Sequence, residues 1–267
     1  MDKLRFASLG SGSSGNSYYV GTLSKGVLVD AGVGVRTLKK RLADVGLTFE
    51  HVWALFITHD HIDHVKAVVS LAEKQHIPVY TTAEVHKGIA RNRLLNGQIS
   101  VPRFIEKGET VGVADFKVTA FGVSHDSSDS VGYTITYKGE NFTIATDLGY
   151  VCENAAQHIR RAHHLVIESN YDTEMLHTGR YPHYLKARIA SQTGHLSNED
   201  AAQFVANIYT PQLRHIYLCH LSKENNTPER AYATMRSALT DMGVLVDTAV
   251  QLYALPRTDA SPLFDLG

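Results

Sequence analysis

The chain has 267 residues, of which 43% are hydrophobic, enough to bury a core without a partner. A formal net charge of −1 excludes the global positive field of many nucleic-acid-binding proteins, although one basic face is compatible with a neutral total. Two cysteines, Cys152 and Cys219, exclude a disulfide framework. The segment MDKLRFASLG lacks the apolar run of a signal peptide, and no stretch reaches membrane-spanning length, so we expect a cytoplasmic protein without membrane contact.

Alternating apolar residues, typical of strands, dominate the first half of the chain, whereas helical spacing recurs in the second half. In chain order the first half is predicted to contain strands near 4–9, 17–22, 26–30 and 52–58, helices over 34–46 and 63–76, and strands over 79–82, 109–113, 116–123, 131–138 and 141–146. The second half is predicted to contain helices over 153–161, within 172–192, over 198–208 and over 228–242, and strands over 163–168, 214–219 and 246–253.

The strands come first as a meander and then alternate with helices, twice over. This order is typical of two sheets packed together with helices outside, and we predict an α/β fold, an αββα sandwich of two mixed sheets flanked by helices. No repeat or Pro/Gly-rich linker interrupts the pattern, which predicts one domain over residues 1–255. Residues 256–267 are expected to form a loose C-terminal tail.

A glycine-rich loop, GSGSSGNS, occupies residues 10–17. It lacks the Lys-Ser/Thr ending of a P-loop, and the residues that follow, Tyr18 to Val20, are typical of a strand rather than of the helix that usually follows a phosphate-binding loop. A tight turn between two strands is the preferred interpretation, and a loop at the edge of an active site is the alternative.

The stretch THDHIDH, residues 58–64, places three histidines and two aspartates in six consecutive positions. His59 and His61 end a predicted strand and point the same way, while Asp63 and His64 open the next helix toward a neighbouring point. Imidazole and carboxylate ligands suit zinc, manganese or iron. The alternative is a polar helix start with solvated histidines. Against that alternative, three more ligand-type residues terminate later apolar runs: His125, Asp147 and His220.

The HxHxDH turn followed by a later His, Asp and His resembles the metallo-β-lactamase fold superfamily over about residues 3–255. The resemblance implies that fold for the predicted sandwich and two divalent metal ions, zinc or manganese first, with iron as the alternative. It implies that a first ion is held by His59, His61 and His125. A second ion would be held by Asp63, His64 and His220, and Asp147 would bridge the two. The superfamily cleaves several kinds of bond, so the turn alone does not identify the substrate.

Three later stretches, VIESNYD, GHLSNEDAAQFV and CHLSKENN, are similar to the phosphodiesterase branches of this superfamily. Together with SLGSGSSGNS, SHD and ATDLG, they make the chain resemble most closely the YycJ/WalJ-like branch, whose members are regarded as 5′-to-3′ DNA exonucleases linked to mismatch repair. The resemblance implies that Glu168 orients His195 and that His195 protonates the departing oxygen. Asp60 is expected either to hydrogen-bond a ligand imidazole or to be solvated.

The segment 175–198 contains arginine, lysine and histidine but no acidic residue, and it is predicted to form a basic rim for a phosphate backbone. The alternative is a solvated helix face with ordinary packing tyrosines. The substrate-binding candidates are Arg180, Lys186, Arg188 and Asn198, with Tyr171, Tyr181 and Tyr184 as bases for stacking. Two other basic clusters, Lys39-Lys40-Arg41 and Arg91-Asn92-Arg93, are expected to be exposed helix faces.

These patterns and the resemblance together predict a metal-dependent phosphodiesterase, a 5′-to-3′ DNA exonuclease acting through a hydroxide activated by two metal ions. The catalytic residues would be His195, Glu168 and Asp63, and the partner would be nucleic acid, DNA rather than RNA. The alternatives are a thioesterase, lactonase or other small-ester hydrolase of the same fold, and a non-catalytic metal-binding regulator. The sequence does not predict the oligomeric state.

Overall fold

The computed structural model describes residues 2–95 and 97–267, and within them the strands form two seven-stranded sheets packed face to face. The first sheet contains, in spatial order, β14 (Phe264–Asp265), β1 (Arg5–Gly10), β2 (Ser17–Gly21), β3 (Gly26–Val29), β4 (Val52–Phe56), β5 (Val79–Thr81) and β6 (Pro102–Phe104). The second contains β13 (Gln251–Ala254), β12 (His215–Cys219), β11 (His164–Glu168), β10 (Glu140–Ala145), β9 (Val131–Tyr137), β8 (Phe116–Gly122) and β7 (Thr110–Val113).

Both sheets are mixed, and each follows the same plan. The strands from β14 to β3 and from β7 to β10 pair antiparallel, whereas those from β3 to β6 and from β10 to β13 pair parallel. The predicted fold class is therefore confirmed. Because the carboxyl ends of parallel strands meet at one edge of a sheet, this plan gathers the loops after β4, β10 and β12.

Helices cover the outer faces of the two sheets. They are α1 (Val35–Asp44), α2 (Ile62–Val65), α3 (Val68–Gln75), α4 (Ala83–Arg91), α5 (Glu153–Ile159), α6 (Thr173–Thr178), α7 (His183–Ile189), α8 (Asn198–Ile208) and α9 (Pro228–Asp241). Apolar residues of α1, α3 and α4 pack on the first sheet, and those of α5, α8 and α9 pack on the second. No helix of the part of the chain described above is long and apolar enough to cross a membrane.

Aromatic side chains fill the space between the two sheets. Phe6 of the first sheet contacts Phe142 and Tyr217 of the second, with ring centroids 4.9 and 4.6 Å apart. Phe56 and Tyr133 make a second cross-sheet pair at 5.3 Å. Such pairs stabilise a core beyond the area that they bury, by about 0.5–1.5 kcal/mol each. They hold the two sheets, and thus the loops at their common edge, in a fixed relation.

The helix predicted over residues 63–76 is two helices in the structure, α2 and α3. The break follows from tertiary hydrogen bonds, because the backbone N–H of Ala67 donates to the carbonyl of Ala31 (2.8 Å) and the N–H of Ala31 donates to the carbonyl of His64 (2.8 Å). The turn after β3 thus fixes the segment that carries His64. Helix α4 and strands β6 and β14 were not predicted, and strand β13 begins only at Gln251.

The expectation of a loose tail over residues 256–267 is wrong. Strand β14 pairs antiparallel with β1, the N–H of Ser261 donates to the carbonyl of Ser8 (2.8 Å), and Leu266 is buried. Arg41, expected on an exposed helix face, donates from its guanidinium to the backbone carbonyls of Leu9 and Thr258. A strand of two residues is too short to give an alternating pattern, so the sequence carried no signal for it.

We expect Leu266→Ala to lower the free energy of unfolding by about 2 kcal/mol, because it removes a buried side chain from the sheet edge. Leu245, which is 67% exposed, provides the matched control, and Leu245→Ala should change that free energy by less than about 0.5 kcal/mol. Urea unfolding of both variants measures the difference. Equal, small effects would show that the C-terminal segment does not pack on the sheet.

Candidate metal centre

The loops after β4, β8, β10 and β12 bring the seven predicted ligands together at one edge of the sandwich. Within each group below, one ligand atom per residue lies within 4.8 Å of the others. The groups are His59, His61 and His125; Asp63, His64 and His220; and His59, His64 and Asp147. They share members, so the seven side chains form one continuous cluster rather than two separate ones.

Three residues at the site have left-handed backbone conformations that are uncommon for residues other than glycine: Asp30 (φ 62°), Asp147 (φ 56°) and His220 (φ 53°). Each directly follows a strand or lies two residues beyond it. The turn at His220 is fixed on both sides, because its N–H donates to Ser11 Oγ (3.0 Å) and its carbonyl accepts from Asn170 Nδ2 (2.8 Å). Backbone strain of this kind persists where the surrounding structure imposes it, and here it lies at the ends of three strands that border the cluster.

Asp147 lies between the two halves of the cluster and is 2% exposed. Its Oδ1 is 2.9 Å from Nδ1 of His220 and 3.7 Å from Nε2 of His125, and its Oδ2 is 3.3 Å from Nε2 of His64. Burial alone would raise the pKa of this carboxyl, but the charges of His220 and His64 hold the pKa well below its usual range. A buried carboxylate that faces imidazoles on both sides could contribute an oxygen ligand to either half of the cluster.

Asp30, at the end of β3, fixes the orientation of His64 and was not predicted from the sequence. Its Oδ2 accepts from Nδ1 of His64 (2.8 Å), and its Oδ1 accepts from the N–H of Thr58 (2.8 Å). The second imidazole nitrogen of His64 is thereby directed at the cluster. The signal was present, because the run GVLVD ends in an acidic residue in the same way as NFTIATD ends in Asp147.

The carboxylates around His64 also control its protonation. Burial by itself would lower the pKa of this imidazole, but the charges of Asp147, Asp30 and Asp63 outweigh that effect and raise the pKa to about 9. In the protein without an ion, a proton on His64 thus compensates the buried acids. A divalent cation supplies the same compensation and requires the proton to leave, so binding of the cation competes with protonation.

The cluster fits a divalent cation because it contains an imidazole nitrogen that lacks any other partner. His59 is buried, its Nδ1 is 3.0 Å from Thr58 Oγ1, and no hydrogen-bond partner for its Nε2 is found among residues 2–95 and 97–267. Burial, together with the neighbouring charge on His64, lowers the pKa of His59 well below its usual value. A neutral imidazole with a free buried nitrogen is the form in which histidine binds metal.

Asp60, in the middle of the HxHxDH turn, makes no hydrogen bond to an imidazole of the described residues and is not simply solvated. Its carboxylate accepts from the N–H (3.2 Å) and the hydroxyl (2.6 Å) of Ser128. Asp60 therefore ties the turn after β4 to the loop after β8, which carries His125. Neither of the two roles expected for it is correct.

The glycine-rich loop is both a turn between β1 and β2 and a wall of the site, so the two interpretations offered for it are compatible. Asn16 Nδ2 lies 2.9 Å from Nε2 of His64, and the N–H of Asn16 donates to the carbonyl of Asp63 (2.8 Å). Gly32 makes this approach possible, because a Cβ on that residue would lie 1.6 Å from the Asp63 carbonyl oxygen.

Glu168 and His195 form a hydrogen-bonded pair beside the cluster. His195 Nδ1 is 2.8 Å from Glu168 Oε1, and Glu168 Oε2 accepts from the backbone N–H groups of Leu148 and Leu196, both at 2.9 Å. The acid is fully buried, yet the charge and hydrogen bond of His195 outweigh the burial and lower the pKa of Glu168 to about 2. Burial tends to lower the pKa of His195, but the charge of Glu168 exceeds that effect and raises it.

The same two residues also belong to a group of potential ligands. Glu168 and His195 lie, with Asp147 and His220, within ligand distance of one another. Both oxygens of Glu168 already accept hydrogen bonds from His195 and from two backbone N–H groups, which favours a role in orienting His195 over a role in binding an ion.

A cavity of about 280 Å³ opens over the cluster, and helix α7 forms one of its walls. Arg188 and Tyr181 line it, as His195 does. The Nε of Arg188 donates to Asp126 Oδ2 (2.6 Å), and the carbonyl of Asp126 lies 3.2 Å from Nε2 of His61. Arg188 is thus tied to the loop that carries His125, while its side chain remains 60% exposed.

The other substrate-binding candidates do not line this cavity. Asn198 is buried, its Oδ1 accepts from Ser169 Oγ (2.6 Å) and its Nδ2 donates to Asn226 Oδ1 (2.9 Å), so its prediction as a substrate contact is wrong. Lys186 lies on the far side of α7 and donates to the carbonyl of His177 (2.7 Å). Arg180 and Tyr184 are exposed, whereas Tyr171 is buried and unsuited to stacking on a base.

We expect Asp30→Asn to weaken zinc binding by about 10–100-fold, because the amide no longer holds Nδ1 of His64 as a carboxylate does. Competition with a chromophoric chelator measures the affinity. Asp241→Asn is the control, since Asp241 is exposed at the end of α9 and belongs to none of the ligand groups, and the zinc affinity of this variant should equal that of the unaltered protein. An unchanged affinity in Asp30→Asn would contradict the role given to Asp30.

Comparisons with known proteins agree with this geometry. A family model described as a beta-lactamase superfamily domain matches residues 25–220. The chain is 37% identical over 251 residues to exodeoxyribonuclease YycJ of Bacillus anthracis, covering 94% of each chain, and 37% identical over 265 residues to exodeoxyribonuclease WalJ of Streptococcus pneumoniae serotype 2, covering 98% of each. Its fold is similar to the metallo-beta-lactamase fold protein YhfI of Bacillus subtilis, with a TM-score of 0.72, 14% identity, and 97% and 99% of the two chains covered. The chain therefore belongs to the metallo-β-lactamase superfamily, in the branch that contains the YycJ and WalJ proteins.

Proposed function

We propose that this protein is a metal-dependent exodeoxyribonuclease that hydrolyses phosphodiester bonds from the 5′ end of DNA. The observation that carries the proposal is the Glu168–His195 pair, in which a buried acid is hydrogen-bonded to a partly exposed imidazole at the wall of the cavity above the ligand cluster. Near-full-length identity to two relatives that carry the name exodeoxyribonuclease supports it. A role in DNA mismatch repair, in the cytoplasm, belongs to the same proposal.

The seven clustered side chains would hold two divalent ions, zinc or manganese, with Asp147 between them. His59, His61 and His125 would bind the first ion, and Asp63, His64 and His220 the second. Bound ions of this kind lower the pKa of water toward about 7 and offset negative charge on phosphoryl oxygens. Mixed imidazole and carboxylate ligands favour these metals over magnesium.

His195 supplies the proton that the leaving alkoxide needs. Its Nδ1 is bonded to Glu168 Oε1, which leaves Nε2 as the nitrogen from which a proton is transferred. Burial tends to lower the pKa of His195, but the charge of Glu168 outweighs that effect and raises it, so more of this imidazole is protonated near neutral pH than of an ordinary histidine. General acids of this type contribute about 10²–10⁴-fold to a rate.

Arg188 and Tyr181 are the groups that would position the DNA strand. The guanidinium of Arg188 is held at one edge by Asp126 and remains largely exposed at the cavity, where its other N–H groups would contact a phosphate. Tyr181 lines the same wall and offers a ring face to a base. Arg188 and Tyr181 lie outside the ligand cluster, so they would contact the substrate and not the ions.

End-labelled DNA with a 5′-phosphate tests the function when it is incubated with the purified protein and Mn²⁺ or Zn²⁺. We expect shortening from the 5′ end, none with Asp63→Ala, and a rate about 10²–10⁴-fold lower with His195→Ala. The metal content, measured by mass spectrometry, should fall in Asp63→Ala and stay unchanged in His195→Ala, because only the first removes a ligand.

The outcomes separate the parts of the proposal. Hydrolysis of a thioester or lactone by the metal-loaded protein, without any cleavage of DNA, would contradict the nuclease function and indicate a small-ester hydrolase. Loss of metal from His195→Ala would contradict its role as a proton donor that binds no ion.

We expect Arg188→Ala to raise the KM for DNA about tenfold with a smaller change in kcat, because one charge-assisted contact to a phosphate is lost. Arg180→Ala is the matched control: Arg180 belongs to the same basic segment but does not line the cavity, and its KM should stay within about twofold of the unaltered value. Steady-state kinetics on one DNA oligomer compare the two. Equal KM values would show that the whole segment acts only through its net charge.

A further inference from the structure

A second, smaller cavity of about 200 Å³ lies on the other side of the glycine-rich loop. Its lining residues are Ser13, Ser14, Leu221, Lys223, Arg257 and Thr258. Ser13 also lines the larger cavity over the ligand cluster, so the two cavities share a wall at the tip of the loop. Leu221 directly follows the ligand candidate His220, which places the small cavity beside the proposed second ion.

Two of the six lining side chains are cationic and none is acidic. The Nη1 of Arg257 donates to the carbonyls of Ser222 (2.7 Å) and Asn226 (3.3 Å), which fixes the guanidinium in place. Lys223 is exposed, so its ammonium is free to move to a ligand. Asp259, the acidic residue that follows Thr258, lines a different cavity together with Arg41.

The loop itself adds donors to the small cavity. The N–H of Gly15 donates to the carbonyl of Gly12 (2.8 Å), closing a turn whose two central residues are Ser13 and Ser14. Within the described ranges, 2–95 and 97–267, the backbone N–H groups of these two serines have no acceptor, and both side chains are exposed. Gly12 packs on the stem of Arg257, because a Cβ at Gly12 would lie 3.3 Å from Arg257 Cβ. Turn N–H groups and hydroxyls next to a fixed guanidinium are typical of anion sites.

We propose that this cavity binds the terminal 5′-phosphate of the DNA strand whose first linkages lie over the metal centre. A terminal phosphate carries a charge of about −1.5 to −2 at pH 7, which matches Lys223 and Arg257, whereas an internal phosphodiester carries a single charge. The shared wall at Ser13 places the strand end next to the site of cleavage. The inference rests on the proposed exonuclease function and adds to it the group by which the enzyme recognises the end of its substrate.

The test compares two oligodeoxynucleotides of the same sequence, one with a 5′-phosphate and one with a 5′-hydroxyl, each as a single strand and as a duplex, as substrates of the full-length, metal-loaded protein. We expect kcat/KM to be about tenfold higher for the phosphorylated oligomer because charge-assisted hydrogen bonds form only to the phosphate. The increase should come from a lower KM and not from a higher kcat. Lys223→Ala should reduce the ratio of the two kcat/KM values toward one, and Lys223→Glu should abolish the preference. Lys74→Glu, a charge reversal on the exposed face of α3, should keep the ratio of the unaltered protein.

Equal kcat/KM values for the two oligomers with the unaltered protein would overturn the inference, because they would mean that the cavity holds an internal phosphodiester or no phosphate. A preference that survives Lys223→Glu would overturn it as well. Absence of cleavage of either oligomer would instead overturn the proposed function on which the inference rests. Substitution of Arg257 would not give a clear test, because its hydrogen bonds to the carbonyls of Ser222 and Asn226 also stabilise the fold.

Discussion

The burial of Asp147 among histidines is the constraint on which the rest of the site depends. A carboxylate with 2% exposure loses its hydration, and such a charge is tolerated only where opposite charge or hydrogen bonds replace the lost water. His220 and His64 supply that compensation when protonated, and a divalent ion supplies it when bound. The cluster is therefore a preformed receptor for positive charge, and a proton and a metal ion compete for it.

Three carboxylates outside the proposed ligand set hold the side chains of the site in place. Asp30 fixes His64, Glu168 fixes His195, and Asp126 connects Arg188 to the loop of His125. In each case a carboxylate outside the proposed ligand set orients a group that points into the site, which is how a rigid scaffold confers a defined geometry on flexible side chains. The aromatic contacts between the sheets keep these strand ends in register, so the geometry of the site is a consequence of the core.

The features that the sequence predicted well are those with a local signature. The order of strands and helices predicted the sandwich, and the HxHxDH turn predicted a metal cluster because four residues able to bind a metal within six positions have few other uses. Features that depend on distant contacts were missed. The break between α2 and α3 arises from hydrogen bonds with Ala31, and β14 forms because a two-residue segment finds an open edge of β1.

The basic segment over residues 175–198 illustrates the same limit. Composition identified it, but composition does not say which side of a helix faces the site. In the structure Arg188 and Lys186 lie on opposite sides of α7, Arg188 at the cavity over the ligand cluster and Lys186 away from it. Asn198 is buried and hydrogen-bonded to Ser169 and Asn226. Asp30 differs from these cases because the sequence does contain a signal for it: the run GVLVD ends in an acidic residue as NFTIATD does, although only the fold shows that its partner is His64.

Anomalous X-ray diffraction from crystals of the protein purified with zinc or manganese is the most direct test of the proposed metal ligands. We expect two peaks of anomalous density, one among His59, His61 and His125 and one among Asp63, His64 and His220, with Asp147 contacting both. A single peak, or density held by Glu168 and His195 in place of the first three histidines, would contradict it, because the proposed proton donor would then be a ligand.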